Sequence, residues 1–229
     1  MICKNNLHEL LEASLSFVLC ENEGNELEKL FSQSIKEDKN AFTSFQKELV
    51  KIKDVLKVDL QFFMDSDPAA SSLDEIKMAY PGYKAIAIYR ISHVLYNLGF
   101  HVHARVLSEI AHSNTGIDIH PGAKIDYPFF IDHGTGIVIG QTSTIGKRVK
   151  IYQGVTLGAV SLSNAEKLRG VVRHPQVGND VTIYAGASLL GAIKIGDNVT
   201  IGSNVFLTDD VESNTKVLIG KPSLVFSKK

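Results

Sequence analysis

The sequence predicts an α+β chain in which a helical N-terminal half precedes a parallel β-helix with a six-residue period. Three observations carry this. Apolar residues before position 112 recur at spacings of three and four. From Gly116 the spacing becomes six: Ile119, Ile125, Ile131, then after a slip of two Ile139, Ile145, Ile151 and Leu157. After a longer break come Val177, Ile183, Leu189, Ile195, Ile201, Leu207 and, skipping Ser213, Ile219. Fourteen of these fifteen slots hold Val, Ile or Leu, whereas only 63 of all 229 residues are of those types, so chance does not account for the pattern. An amphipathic helix needs apolar residues at three and four rather than strictly at six. Short strands that each bury one aliphatic side chain, joined by tight turns and stacked coil on coil, need exactly this spacing and bury a column no single repeat could bury alone.

The helical half, residues 1–112, is read in order. Leu10, Leu11, Leu15, Val18 and Leu19 mark one helix face, and Phe42, Phe45, Leu49 and Ile52 another. Asp67-Pro68 reads as an N-cap followed by proline at the first helical position. Pro81-Gly82 punctuates the chain. The next helix carries Ile86, Tyr89, Val94, Leu95 and Leu98, with Gly99 as its C-terminal cap. A further helix is expected from about His101 to His112. The second unit, residues 113–229, is the solenoid, where Gly, Asp or Asn follows many aliphatic slots and suits the turns.

Composition narrows the function. Apolar residues make up 44% and charged residues 21%, with a formal net charge of −1, which supplies no electrostatic reason for a nucleic-acid or anionic-membrane partner. No run of 18 apolar residues suggests a membrane span, and the start lacks the order of a signal peptide. Two cysteines, Cys3 and Cys20, are expected to be reduced. The expected location is cytoplasmic.

Chemistry is expected where the repeat breaks, because turns and insertions in a solenoid carry function. One break surrounds Asp132-His133-Gly134-Thr135-Gly136. The other runs from Gly158 to Gln176 and contains Arg173-His174-Pro175. Histidine suits an aliphatic column poorly and general-base work near neutral pH well. Two histidines at the only two breaks, each beside a charged residue, point to a site.

These segments resemble serine O-acetyltransferases. The matching stretches are Asp67-Pro-Ala-Ala, Tyr80-Pro-Gly, Ala87-Ile-Tyr-Arg-Ile-Ser-His93, Gly116-Ile-Asp-Ile-His-Pro-Gly-Ala, Asp132-His-Gly-Thr-Gly-Ile-Val-Ile-Gly140, Gly154-Val-Thr-Leu-Gly158 and Arg173-His-Pro175. The resemblance implies a left-handed β-helix assembled as a trimer, active sites between neighbouring prisms, and a helical half that packs trimers into a hexamer. It implies transfer of the acetyl group of acetyl-CoA to L-serine, the first step from serine to cysteine, with no metal. His133 is the implied general base and Asp118 the residue that orients its imidazole. Asp67 and Asp132 match the carboxylates that hold the α-ammonium; Arg173 offers a bidentate fork for the carboxylate, with His174 beside it. Thr156, Gly158, Ala185, Gly186 and Ser203 match positions along the acetyl-CoA groove, and Lys221 is a candidate for the nucleotide phosphates.

The chain departs from the family at three places. Gln141 stands where a glutamate is usual. Ala159 to Val172 is longer and more apolar than the usual glycine-rich stretch, and reads as a lid over the pantetheine arm. The sequence ends in Ser227-Lys-Lys229, without the isoleucine-ending tail of relatives that bind cysteine synthase, so that complex is not expected. Competing readings are a hexapeptide acyltransferase acting on a sugar or amine, a metal hydratase needing three converging histidines from among His120, His133 and His174, and a scaffold without chemistry.

Overall fold

The computed structural model describes residues 4–20, 24, 26–35, 38–160, 166 and 170–220. Six helices come first: α1 (Lys4–Leu19), α2 (Leu27–Ser34), α3 (Lys39–Ser66), α4 (Leu73–Ala79), α5 (Pro81–Asn97) and α6 (His101–Thr115). The faces expected from the spacing are the buried ones. Leu10, Leu11, Leu15 and Val18 of α1 and Phe42, Phe45, Leu49 and Ile52 of α3 all lie in the core. α5 is buried on nearly every side, from Gly82 to Leu95, which makes it the central helix. Gly99, at φ 87°, closes α5: its N–H bonds to the Tyr96 carbonyl at 3.1 Å and the Phe100 N–H to that of Leu95 at 2.9 Å. α6 runs three residues past the expected His112 and stops at Gly116.

One helix boundary differs from expectation. Asp67 does not start a helix; it follows the last turn of α3 in extended conformation, its N–H still bonded to the Phe63 carbonyl. The cap of the next helix is Ser72, whose hydroxyl accepts from the Glu75 N–H. Pro81 is the proline at a helix start, opening α5.

The strands are dealt in rotation onto three parallel sheets, forming a solenoid of about five turns. Face A holds β1 (Asp118–Ile119), β4 (Val138–Ile139), β7 (Thr156–Gly158), β10 (Ser188–Leu190) and β13 (Phe206–Leu207). Face B holds β2 (Lys124–Ile125), β5 (Thr144–Ile145), β8 (Gln176–Val177) and β11 (Lys194–Ile195). Face C holds β3 (Phe129–Asp132), β6 (Val149–Tyr152), β9 (Thr182–Ile183), β12 (Thr200–Ile201) and β14 (Lys216–Val217). Ile119 pairs Ile139, Ile125 pairs Ile145 and Ile131 pairs Ile151, so the six-residue slots stack as predicted.

The last coil is a correction. Ser213 and Ile219 are not its inward residues: Val211 bridges Ile195 and Val217 pairs Ile201, while Ile219 is exposed. The turn after β13 is short, so the register slips back by two. Each face also buries a second residue two before the slot. Ile117, Ile137, Val155, Ala187 and Val205 form one such row, and Ala123, Ser143 and Ile193 belong to another. The Ser143 hydroxyl, fully buried there, has no hydrogen-bond partner among the described residues.

The two halves meet at a buried ion pair. Arg90 of α5 grips Asp59 of α3 through Nε at 2.7 Å and a terminal nitrogen at 3.0 Å. The same carboxylate accepts the Phe129 N–H of β3 at 2.9 Å. Arg90 also donates to the carbonyls of Ile125 and Asp126. Burial pushes the Asp59 carboxyl up, against the pull of Arg90 and the Phe129 amide. Removing one partner strands a charge in the interior. Arg90→Met is therefore expected to cost about 3–5 kcal/mol, read as a fall in the denaturant midpoint at unchanged slope.

Candidate active site

The slip of two residues between Ile131 and Ile139 is a widened corner where face C turns into face A. Asp132 ends β3, and His133 follows at φ 55°, a left-handed conformation uncommon outside glycine. This corner pushes the His133 side chain outward, 71% exposed, with Nδ1 3.6 Å from the Asp132 carboxylate. The end of α3 delivers Asp67 to the same place. Its Oδ1 accepts the Ala69 N–H at 2.8 Å and its Oδ2 the Tyr80 hydroxyl at 2.6 Å. The Tyr80 hydrogen bond, then that of Ala69, and the nearby His133 hold the Asp67 carboxyl below its usual range. Tyr152, at the end of β6, feels the charges of Asp132 and Asp67, and its ring stacks on Tyr184 at 5.2 Å.

Arg173 and His174 sit on a different edge, where face A turns into face B. Thr142 organises them. Its hydroxyl oxygen accepts the backbone N–H of Arg173 at 2.9 Å and of His174 at 3.2 Å, and lies 2.8 Å from His174 Nδ1. The Thr142 N–H also donates to that Nδ1, at 3.1 Å. An Nδ1 that accepts a backbone amide leaves the ring proton on Nε2, so neutral His174 is a donor there. The ring lies directly over Gly140, where a β-carbon would overlap it. Gln141 accepts from the Arg173 guanidinium at 2.7 Å and donates to the Tyr96 hydroxyl of α5 at 3.0 Å. Burial, then Arg173, lowers His174 to about 4; burial, then Arg105, Arg173 and His174, lowers His120 to about 4.

The predicted residues thus form two groups on the two edges that flank face A. Asp67, Asp132 and His133 share one edge; Arg173 and His174 share the other, with His120. The three solenoid histidines therefore do not converge within one chain. Asp118, in β1, receives Arg105 at 3.4 Å; Arg105 also pairs with Glu109, and Glu109 with His112 at 3.3 Å. Ligand atoms of Glu109, His112 and Asp118 lie within 4.8 Å of one another, but Arg105 puts its own charge into that cluster. Ala185, Gly186 and Ser203 stand below His133 on its edge, successive coils being about 4.8 Å apart. A β-carbon on Gly186 would meet Asn204, so only glycine leaves that stretch smooth. Thr156 and Gly158 lie on face A. Lys221, and residues 161–165 and 167–169 of the expected lid, lie outside the described residues.

Tyr80, Thr142 and Gly140 escaped the sequence reading as partners of the site. Their one signal was position: Tyr80 and Gly140 within matching motifs, and Thr142 next to Gln141. A groove of about 920 Å³ lies elsewhere, between α3, α5 and face B. No helix is long and apolar enough to cross a membrane among the described residues.

A solenoid of six-residue repeats with titratable groups on its edges is the architecture of hexapeptide transferases, and residues 174–209 match the family described as "Bacterial transferase hexapeptide (six repeats)". A serine acetyltransferase of Synechococcus elongatus is 51% identical over 175 residues, which are 75% of this chain and 55% of that protein. That of Helicobacter pylori is 44% identical over 170 residues, 74% of this chain and 96% of the relative. The chain belongs to the serine acetyltransferase family. Among solved structures, native serine acetyltransferase 1 of Entamoeba histolytica superposes with a TM-score of 0.85 at 38% identity, over 96% of this chain and 88% of that one. The Neisseria gonorrhoeae enzyme in complex with serine gives 0.70 at 28% identity, over 94% and 95%. The Brucella abortus enzyme in complex with coenzyme A gives 0.72 at 28%, over 95% and 80%.

The strongly lowered imidazoles of His120 and His174 contribute a pH dependence. In the unfolded chain they take up a proton near pH 6.5, but in the fold only near 4. Between these values the unfolded state binds more protons, so stability falls as pH drops through that window. Denaturant unfolding across pH 4–7 is expected to show the decline, and His120→Gln to make it shallower.

Proposed function

We propose that the chain transfers the acetyl group of acetyl-CoA to the hydroxyl of L-serine, giving O-acetyl-L-serine and CoA, with each site shared between two copies. The family supports the reaction, and the relatives' complexes with serine and coenzyme A support the two substrates. The observation that carries the site is the cluster of Asp67, Asp132 and His133 on one edge. Two carboxylates beside an imidazole suit an ammonium-bearing alcohol that must lose a proton. Arg173 and His174, on the other edge, supply a guanidinium and an Nε2–H for the substrate carboxylate. A neighbouring copy set against face A brings its Arg173 edge to the His133 edge of the first. A closed trimer repeats that contact three times.

In the reaction the serine hydroxyl gives its proton to the imidazole of His133 as its oxygen attacks the thioester carbonyl. The C–O bond forms, the C–S bond breaks as the tetrahedral intermediate collapses, and the imidazolium returns the proton to the CoA sulfur. Carboxylate near Nδ1 favours the tautomer with Nε2 free to accept. Asp118 is the proposed orienting carboxylate, on the strength of the family resemblance, and Asp132 lies 3.6 Å from Nδ1. Acetyl-CoA lies along the edge of Ala185, Gly186 and Ser203 with Thr156 and Gly158 beside it, and Lys221, by its charge, is the proposed cation for the nucleotide phosphates.

His133→Ala is expected to lower kcat by roughly 10²–10⁴-fold, followed as thiol release, with the assembly intact by size-exclusion chromatography. Arg173→Ala should raise the serine KM far more than that for acetyl-CoA. Co-assembling the two variants, each nearly inactive at serine far below the raised KM, tests the shared site under that condition. Some contacts then pair an intact His133 edge with an intact Arg173 edge, so activity returns; a mixture as inactive as its parents refutes the arrangement.

A further inference from the structure

We propose that Tyr80 is a positioning residue, whose hydroxyl fixes the Asp67 carboxylate in the orientation that receives the substrate ammonium. The inference rests on the role of Asp67 proposed above and deepens it. Asp67 stands beyond the end of α3, where no helical hydrogen bond holds its side chain. Two donors take that place: the Ala69 N–H on one oxygen and the Tyr80 hydroxyl on the other. Each oxygen keeps a lone pair for a ligand.

The Tyr80 ring is itself anchored. It packs edge-on against Phe63 at 6.3 Å, and Phe63 packs edge-on against Phe130 of β3 at 4.7 Å. Phe130 lies two residues before Asp132. A chain of rings thereby ties the Asp67 carboxylate to the strand that carries Asp132 and His133. The titratable groups around the Asp67–Tyr80 pair are Glu75 of α4, Asp132 at the end of β3, His133 after it, and Tyr152 of β6. Bonding to Asp67, then burial and the charges of Asp67, Glu75 and Asp132, pushes the phenol up to about 12, so Tyr80 remains a donor at any working pH. Without that donor, Asp67 faces the charge of Glu75 with one amide to restrain it. Its carboxylate then turns away from the site and takes up a proton more readily.

Tyr80→Phe keeps the ring contact and removes only the donor. Steady-state kinetics on the assembled enzyme is expected to show the serine KM raised roughly tenfold, kcat within about twofold, and the acetyl-CoA KM unchanged. The acid limb of kcat/KM for serine should move to higher pH. Asp67→Asn is the reference. Because Tyr80 acts through Asp67, the double variant Asp67→Asn, Tyr80→Phe should match Asp67→Asn alone rather than add to it. An unchanged serine KM in Tyr80→Phe, or additive losses in the double variant, overturns the Tyr80 inference while leaving Asp67 in its role. An unchanged serine KM in Asp67→Asn overturns both.

Discussion

The buried contact of Asp59, Arg90 and the Phe129 amide is the joint on which the placement of the site depends. It fastens α3 and α5 to β3 at one point. From that point α3 runs on for two turns to Asp67, and β3 runs three residues to Asp132. Carboxylates 65 residues apart in sequence reach the same edge because both elements leave the same clamp. A joint made of apolar contacts alone could slide. A guanidinium bonded to a carboxylate that also takes a specific strand amide has one register.

The two edges flanking face A differ in electrostatic character. The His133 edge gathers Asp67, Asp132 and Glu75 around one exposed imidazole. Among the described residues the Arg173 edge sets a guanidinium beside polar groups: His120 and His174 held unprotonated, the Thr142 hydroxyl, and Gln141. A glutamate at 141 would place an anion within bonding distance of Arg173 and cancel much of its charge. Glutamine orients the guanidinium through the same oxygen without adding a charge of its own. An edge rich in anions and an edge carrying a cation suit the two ends of a zwitterion.

The sequence pattern made the solenoid legible because stacking demands identity at one slot per face, and aliphatic residues met that demand almost without exception. The His133 corner showed as a shift of two in the count. On face B the second inward row stayed hidden because Ala123 and Ser143 interrupt its aliphatic character. The final coil was misread because a shortened turn moved the register onto Val211, which no periodic count could separate from Ser213. Asp67 has the composition of a helix start, but the preceding helix extends up to it, so tertiary packing on Phe63 overrode the local signal. The pairing of Tyr80 with Asp67 and the gathering of Arg173 and His174 under Thr142 depend on distances across 13 and about 32 residues, and spacing does not encode them.

α5 touches both edges. Its first residues follow Tyr80, which holds Asp67, and Tyr96 near its last turn holds Gln141, which in turn meets Arg173. Seventeen residues of helix make a strut of about 25 Å. Its length is quantised: one residue more or less would rotate Tyr96 by about 100° around the axis and point it away from the prism. The long insertion between β7 and β8 has no such constraint, since a solenoid corner can carry any length of chain. Descent with changing length is therefore open to that corner and closed to the strut.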